Sequence, residues 1–177
     1  LLFSAVFYGL WGAEFLLLLA VMAGMNYAFG LALAAPEKRN KGDTPPGLSR
    51  QGLLALALVL NLLPLVWFKY SGFLAQNLAP LFHSQWNFQP PGQPLGISFY
   101  TFIQIAWLVS VYRRQIAPQG LLRHALFSSC FPYVISGPIV RYEQMGPQFD
   151  AMRGPDAQGL ARGFSLFSMG LAKKVLL

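Results

Sequence analysis

Charge is scarce in this chain. Only 11% of its 177 residues are Asp, Glu, Lys or Arg, against roughly 25% in an average soluble domain. Six acids and thirteen bases make a thin coat for a water-facing fold of this length, which argues against an ordinary soluble globular domain. A hydrophobic share of 55% excludes the opposite case, because disorder requires low hydrophobicity and high charge. Cysteine is rarer still. Cys130 stands alone, so no disulfide can close within the chain and no cysteine-based zinc or iron–sulfur spacing exists. Several catalytic signatures are missing too. Gly92–Gly96 is not a phosphate loop, since no Lys-Ser or Lys-Thr follows it, and there is no HExxH, nucleophile elbow or CxxC. Glu14, Glu143 and Asp150 are too scattered to form a carboxylate pair. No metal site is expected.

What the sequence does contain is apolar runs of bilayer length. Phe15 to Ala35 is the clearest, about 21 residues that at ~1.5 Å each cover the roughly 30 Å hydrocarbon core. Asn26 is its one strongly polar residue, and Gly24 and Ala28 form a small-xxx-small pair suited to close helix packing. Gln51 to Phe68 reads as a second span interrupted at Asn61 and Pro64, with Lys69 snorkelling at its end and Tyr70–Phe82 lying near the surface. Ile97 to Tyr112 reads as a third, stopped by Arg113 and Arg114. Leu1 to Gly12 could be the tail of a further span. The net charge of +7 sits in the loops between these runs, which fits membrane orientation better than nucleic-acid binding. Loops 36–50 and 113–123 are basic and loop 83–94 has no Lys or Arg, so the first two are expected in the cytoplasm and the third outside.

Two later segments differ. Gly120 to Phe131 would lie in the membrane interface, with Leu122, Ala125, Leu126 and Ser129 on its apolar face and a solvated His124 beside Arg123, whose charge would lower its pKa. Phe131 to Arg141 is apolar but broken by Pro132, Gly137 and Pro138, as expected of a re-entrant element enclosed by protein. From Gly159 the chain reads as helix, with Asp156 placed to N-cap it and a GxxxG at Gly159–Gly163. The expected fold is all-α: a polytopic helical membrane protein with a re-entrant element and an interfacial helix, residues 1–177 forming one partial membrane domain.

Polar residues inside these apolar runs are the candidates for function. Ser98, Thr101 and Gln104 recur at steps of three on the third span, so that side should face protein or an aqueous path. They either hydrogen-bond to neighbouring helices or line a substrate or acyl-donor tunnel. Arg141, directly after the broken stretch Ser136–Val140, either caps that loop or holds a phosphate or carboxylate with two parallel hydrogen bonds. Of the two histidines, His83 in a proline-rich loop reads as a surface residue, and neither it nor His124 has the setting of an active-site base.

The ordered motifs Pro94–Phe102, Val111-Tyr112-Arg113, Phe131-Pro132 and Gly137–Tyr142 resemble the membrane-bound O-acyltransferase family, most closely its bacterial alginate O-acetyltransferase branch. Phe7–Trp11, Asn26-Tyr27 and Gly170–Lys174 add to the likeness, so it extends over essentially the whole chain. The branch usually carries Gln and Asp where this sequence has Ile103 and Ser110. The resemblance implies an enzyme of the bacterial inner membrane that moves an acyl group, often acetyl, onto hydroxyls of an exported polysaccharide. It implies no bound cofactor, an acyl donor such as acetyl-CoA or another acyl thioester, and a periplasmic acetyltransferase as partner. Ser98, Tyr100, Thr101, Gln104, Arg141 and Tyr142 would line or support its substrate path. The family's catalytic histidine belongs to a motif expected downstream of Leu177, and a chain that opens on Leu1 and closes in a helical run is expected to be an internal piece of a longer protein. A transporter or channel subunit, or a silent membrane anchor for an extracytoplasmic partner, are the competing readings.

Overall fold

The structure, a computed structural model, describes residues 1–35, 49–78, 88–134, 137, 139–151, 154 and 156–176. Every regular element among them is helical. They divide into two compact units, residues 1–145 and 146–177.

In the first unit α1 (Leu2–Trp11) ends at Gly12 and α2 (Ala13–Ala34) begins at once. The buried residues of α2 are Leu19, Met22, Ala23, Asn26, Gly30 and Leu33, a stripe at helical spacing that turns one side inward. At 22 residues the helix is about 33 Å long, enough to cross a bilayer. Gly24 and Ala28 lie on its exposed side, and a Cβ on Gly24 would meet no atom within 4 Å. The expected small-residue contact is therefore made elsewhere, at Gly30.

Residues 50–77 form a second helix of bilayer length, 28 residues, and here the expectation of a span ending at Phe68 is corrected. The helix runs from α3 (Arg50–Leu65) through a π turn (Val66–Tyr70) into α4 (Ser71–Leu78). Pro64 removes one backbone donor, and the wider turn after it lets the chain continue, an adjustment that membrane helices use to satisfy freed carbonyls. α5 (Ile97–Tyr112) matches the third expected span residue for residue. At 16 residues it is about 24 Å long and short for a perpendicular crossing. Two of the described helices are thus long and apolar enough to cross a membrane.

Both ends of α5 are tied down. At its start Gly96 has φ 68°, and a Cβ there would lie 2.3 Å from the Val134 carbonyl oxygen, so only glycine fits both the left-handed backbone and the close approach. The Tyr8 hydroxyl donates to the Leu95 carbonyl nearby. At the other end the Arg50 guanidinium donates to the carbonyls of Leu33 (3.3 Å) and Tyr112 (3.0 Å) and lies over the Tyr112 ring. One cation thereby serves the exposed C-terminal carbonyls of α2 and α5, the pole where positive charge is favoured. Arg114 follows in the left-handed conformation at φ 57°, closing α5 with Arg114 N–H to Val111 O and Gln115 N–H to Ser110 O, a Schellman-type cap usually built on glycine.

α6 (Leu121–Ser129) packs on α2 and α5. Its inward residues are His124, Phe127 and Ser128, while Leu121 and Leu122 are exposed. This reverses the expected amphipathic face. A helix packed on apolar neighbours is oriented by what those neighbours accommodate, and the rings of α2 and α5 accept the imidazole. The chain then reaches α7 (Phe131–Val134), beside Gly96 at the start of α5, and α8 (Tyr142–Asp150) begins with Tyr142 set edge-to-face on Phe127, 5.0 Å between ring centroids. Residues 36–48, residues 79–87 with His83, and residues 135, 136 and 138 of the expected re-entrant stretch lie outside the described residues.

In the second unit α9 (Ala157–Leu176) is capped by Asp156, whose carboxylate accepts from Gly159 N–H at 2.8 Å, as the sequence suggests. Its residues are exposed throughout, and a Cβ on Gly163 would meet nothing within 4 Å.

Candidate functional site

The middle of the bundle holds a polar cluster that joins α2, α3 and α5. Asn26 and Asn61 bond reciprocally: Asn26 Nδ2 donates to Asn61 Oδ1 (2.9 Å) and Asn61 Nδ2 to Asn26 Oδ1 (2.7 Å). Each amide also donates one turn back on its own helix, to Met22 O and Ala57 O, both at 2.8 Å. Gln104 Oε1 also lies against Asn26 Nδ2, which shares its two hydrogens among Met22 O, Asn61 Oδ1 and Gln104 Oε1. All three residues are fully buried. In an apolar surround such a network is costly when partly satisfied and strongly specifying when complete. Gln104 thus takes the helix-bonding role through its oxygen, while its Nε2 has no partner among the described residues.

Above this cluster Tyr100 and Thr101 are also fully buried, and their hydroxyls likewise have no described partner. Ser98 is only partly buried and accepts from Lys69 Nζ at 3.2 Å. Tyr142 is buried against Phe127, whereas Arg141 is exposed. Of the six residues singled out from the sequence, three (Tyr100, Thr101 and Gln104) therefore share the core of α5. Ser98 sits at its start, Tyr142 packs on α6, and the Arg141 side chain stands outside the core.

Below the cluster lies an arrangement the sequence reading missed. Trp107 is pressed against α2 at Gly30, where a Cβ would lie 2.2 Å from its ring. Its other side stacks on His124, 4.2 Å between centroids, and the Tyr27 ring is 5.8 Å from His124. His124 is fully buried, not solvated at an interface. Its surroundings are the rings of α2 and α5, not solvent beside the Arg123 charge as expected from sequence. The signal available in the sequence was the Gly30/Trp107 pair of extremes in side-chain size on two apolar helices, but nothing in sequence spacing places them together.

Among the described residues no catalytic set is assembled. Ser128 Oγ lies 3.4 Å from His124 Nε2, a loose pair, and the imidazole also meets the Ala23 backbone rather than a carboxylate that would orient it as the base of an activated nucleophile. No group of three His, Cys, Asp or Glu among the described residues could hold a metal ion.

Named relatives match this chain from end to end. It is 34% identical over 183 residues to a probable alginate O-acetylase of Pseudomonas aeruginosa, a match covering all of this chain and 34% of the relative. It is 33% identical to a probable alginate O-acetylase of Azotobacter vinelandii, over 98% of this chain and 34% of that protein. With a peptidoglycan O-acetyltransferase of Helicobacter pylori it shares 30% identity over 98% of its own length and 37% of the relative. The chain spans about a third of the length of these relatives. No family model matches it, and no solved structure does.

Proposed function

We propose that the chain, which belongs to the membrane-bound O-acyltransferase family, forms part of the membrane body of an enzyme that transfers acetyl or another acyl group to hydroxyls of an exported polysaccharide. The observation that carries this reading is end-to-end similarity, at 30–34% identity, to relatives named as O-acetylases and O-acetyltransferases of two different polymers, alginate and peptidoglycan. A shared scaffold with a variable acceptor accounts for that pair of names.

The structure contributes the physical side. Two apolar helices of bilayer length, locked to a third by buried amides, suit a body that must hold its shape in lipid, where helices gain little from the hydrophobic effect and associate by packing and hydrogen bonds. We place loops 36–50 and 113–123 in the cytoplasm and loop 83–94 outside, in the inner membrane, on the distribution of Lys and Arg. Val134 beside Gly96 at the start of α5, and Tyr142 against Phe127 of α6, support a re-entrant element between α6 and α8. In this reading the buried face of α5, with Tyr100, Thr101 and Gln104, backs the acyl path, and Ser98, Arg141 and Tyr142 stand at its margins. The acyl donor is acetyl-CoA or another thioester, the partner a periplasmic acetyltransferase, and the histidine that deprotonates the acceptor hydroxyl lies elsewhere in the protein.

The test is polymer-bound acetate in cells carrying the full-length gene and in cells where it is deleted. Loss of O-acetyl groups on deletion is the expected result. Unchanged acetylation of every exported polymer, with the protein expressed in the control, would reject the transferase reading in favour of transport or anchoring.

A further inference from the structure

One side of the helix 50–77 carries a cavity that lies apart from the polar cluster. Leu60, Leu63, Trp67 and Leu74 line it from that helix, with Leu18 of α2 and Phe88. Its volume is about 730 Å³, within the roughly 300–1,000 Å³ of small-molecule sites. Pro64 and the first residues of the π turn belong to the same wall, and π turns inside helices recur at functional sites. The Trp67 ring meets Phe88 edge-on, 6.2 Å between centroids.

The lining shows what the cavity is built to meet. Where this helix packs on α2 and α5 it turns Ala57, Asn61 and Leu65 inward, and the facing helices offer Asn26, Gly30 and Gln104. Small and hydrogen-bonding residues are what helix–helix contacts in a membrane use. The cavity has the opposite composition. Its lining is large and apolar apart from Ser71 and Ala75, and none of it is glycine. Leu63 and Trp67 remain 55% exposed. Another helix would find no small-residue seam to close upon, and water would find apolar walls, which stay dry.

Depth selects the occupant. Lys69 is the sole Asp, Glu, Lys or Arg between Arg50 and Arg113, and at ~1.5 Å per residue it stands about 28 Å from Arg50 along the helix. The two cations thus bracket roughly one hydrocarbon thickness. Trp67 and Tyr70 beside Lys69 supply the aromatic belt expected at an interface. On the same scale the cavity wall runs about 22 Å, from Leu60 near mid-bilayer to Ala75 just past that interface. This is the course of an acyl chain in one leaflet.

We infer that the cavity seats one acyl chain of a bilayer glycerophospholipid, in the leaflet away from Arg50, with its headgroup level with Lys69 and Tyr70. A chain held there supports the helix where Pro64 has removed a backbone donor. The inference rests on the membrane reading of these helices and not on acyl transfer, so the polymer-bound acetate assay leaves it untouched.

The experiment uses the full-length protein in nanodiscs of phosphatidylethanolamine and phosphatidylglycerol, doped with phosphatidylethanolamine that carries a diazirine midway along one acyl chain. After irradiation, peptide mass spectrometry maps the labelled residues. Val59 and Leu62 are the standards, because both are exposed and neither lines the cavity, while their chain neighbours Leu60 and Leu63 line it at the same depth. The expected result is labelling of Leu60 and Leu63 about tenfold above the standards, since a seated chain stays while bulk lipid exchanges. Leu18→Trp, which enlarges a wall residue on the other helix, should bring the lining down to the level of the standards, and an excess that survives it would overturn the inference. Equal labelling of lining and standards in the unaltered protein would also overturn it, because lipid would then only wet this face. Labelled standards beside an unlabelled lining would overturn it in favour of another part of the protein filling the cavity. No label on any of the four would refute the membrane reading of this helix as well. If Leu18→Trp does not fold, Ala75→Phe narrows the cavity at its interface end and carries the same outcomes.

Discussion

Placing a single methyl group at Gly30 should damage this bundle more than its size suggests. An Ala Cβ at that position would lie 2.2 Å from Trp107 Cη2 and 2.4 Å from Cζ3, where carbon atoms prefer roughly 3.5–4.0 Å. The indole would have to retreat by more than about an ångström. It has little room, because its opposite side rests on His124 at a centroid separation of 4.2 Å and it is only 1% exposed. Overpacking of this kind costs about 1–3 kcal/mol, and a rigid aromatic neighbour puts Gly30→Ala at the upper end. Gly24, six residues earlier on the same helix, is the control. A Cβ there meets nothing within 4 Å, so Gly24→Ala should gain about 0.5–1 kcal/mol from helix propensity. The assay is the thermal midpoint of the purified full-length protein in detergent, read as the fraction that remains monodisperse after heating. The two substitutions should move it in opposite directions. Adding Trp107→Phe, which shortens the ring that would be struck, should relieve part of the Gly30→Ala loss, a positive coupling of about 1 kcal/mol. If Gly30→Ala matches Gly24→Ala, or the double variant shows no coupling, the wedge of Trp107 between α2 and His124 is not how the helices pack.

Other consequences follow from the polar groups. Asn26→Leu strands Asn61 Oδ1 and Gln104 Oε1 in the core and should cost about 2 kcal/mol; adding Asn61→Leu should cost less than a second independent loss, and strict additivity in the thermal midpoints would dissolve the network. Under the transferase reading Arg141→Ala, at unchanged abundance, should lower polymer-bound acetate; full acetylation would remove Arg141 from the mechanism.

Much of the helical layout was legible because it depends on local quantities. Length and apolarity marked residues 15–35 and 97–112, and the observed helices Ala13–Ala34 and Ile97–Tyr112 agree. Asp156 was readable as a cap because a side chain three residues from its acceptor amide needs no tertiary information. Pro64 was readable as a tolerated break, and it was Lys69 that misled. Its charge marked an interfacial end at Phe68, but the side chain reaches Ser98 Oγ while the backbone takes a π turn and continues to Leu78. The orientation of α6 failed differently. Its apolar residues mark one face and its buried residues another, because rings from α2 and α5 that are distant in sequence decide what is buried there.

The candidate site divides along the same line. That Gln104 and its neighbours need partners followed from one-dimensional spacing, but which partners did not. Asn26 and Asn61 each stood out as a polar interruption of an apolar span, and their reciprocal bond turns two apparent defects into a specific lock between helices 35 residues apart in sequence. That lock consumes only the oxygen of Gln104. With Nε2 left without a partner among the described residues, the same side chain faces two demands: its oxygen joins the lock that holds three helices together, and its amide donor is buried unpaired. A substitution that keeps the first role and removes the second is therefore the most informative change at this position. Gln104→Glu retains an oxygen for Asn26 while exchanging the donor for an acceptor. A carboxylate buried there is uncompensated, so the thermal midpoint of Gln104→Glu should fall further as pH rises above the carboxyl range, where the group must ionise or hold its proton at a cost; a midpoint that does not depend on pH would mean that position 104 is not buried.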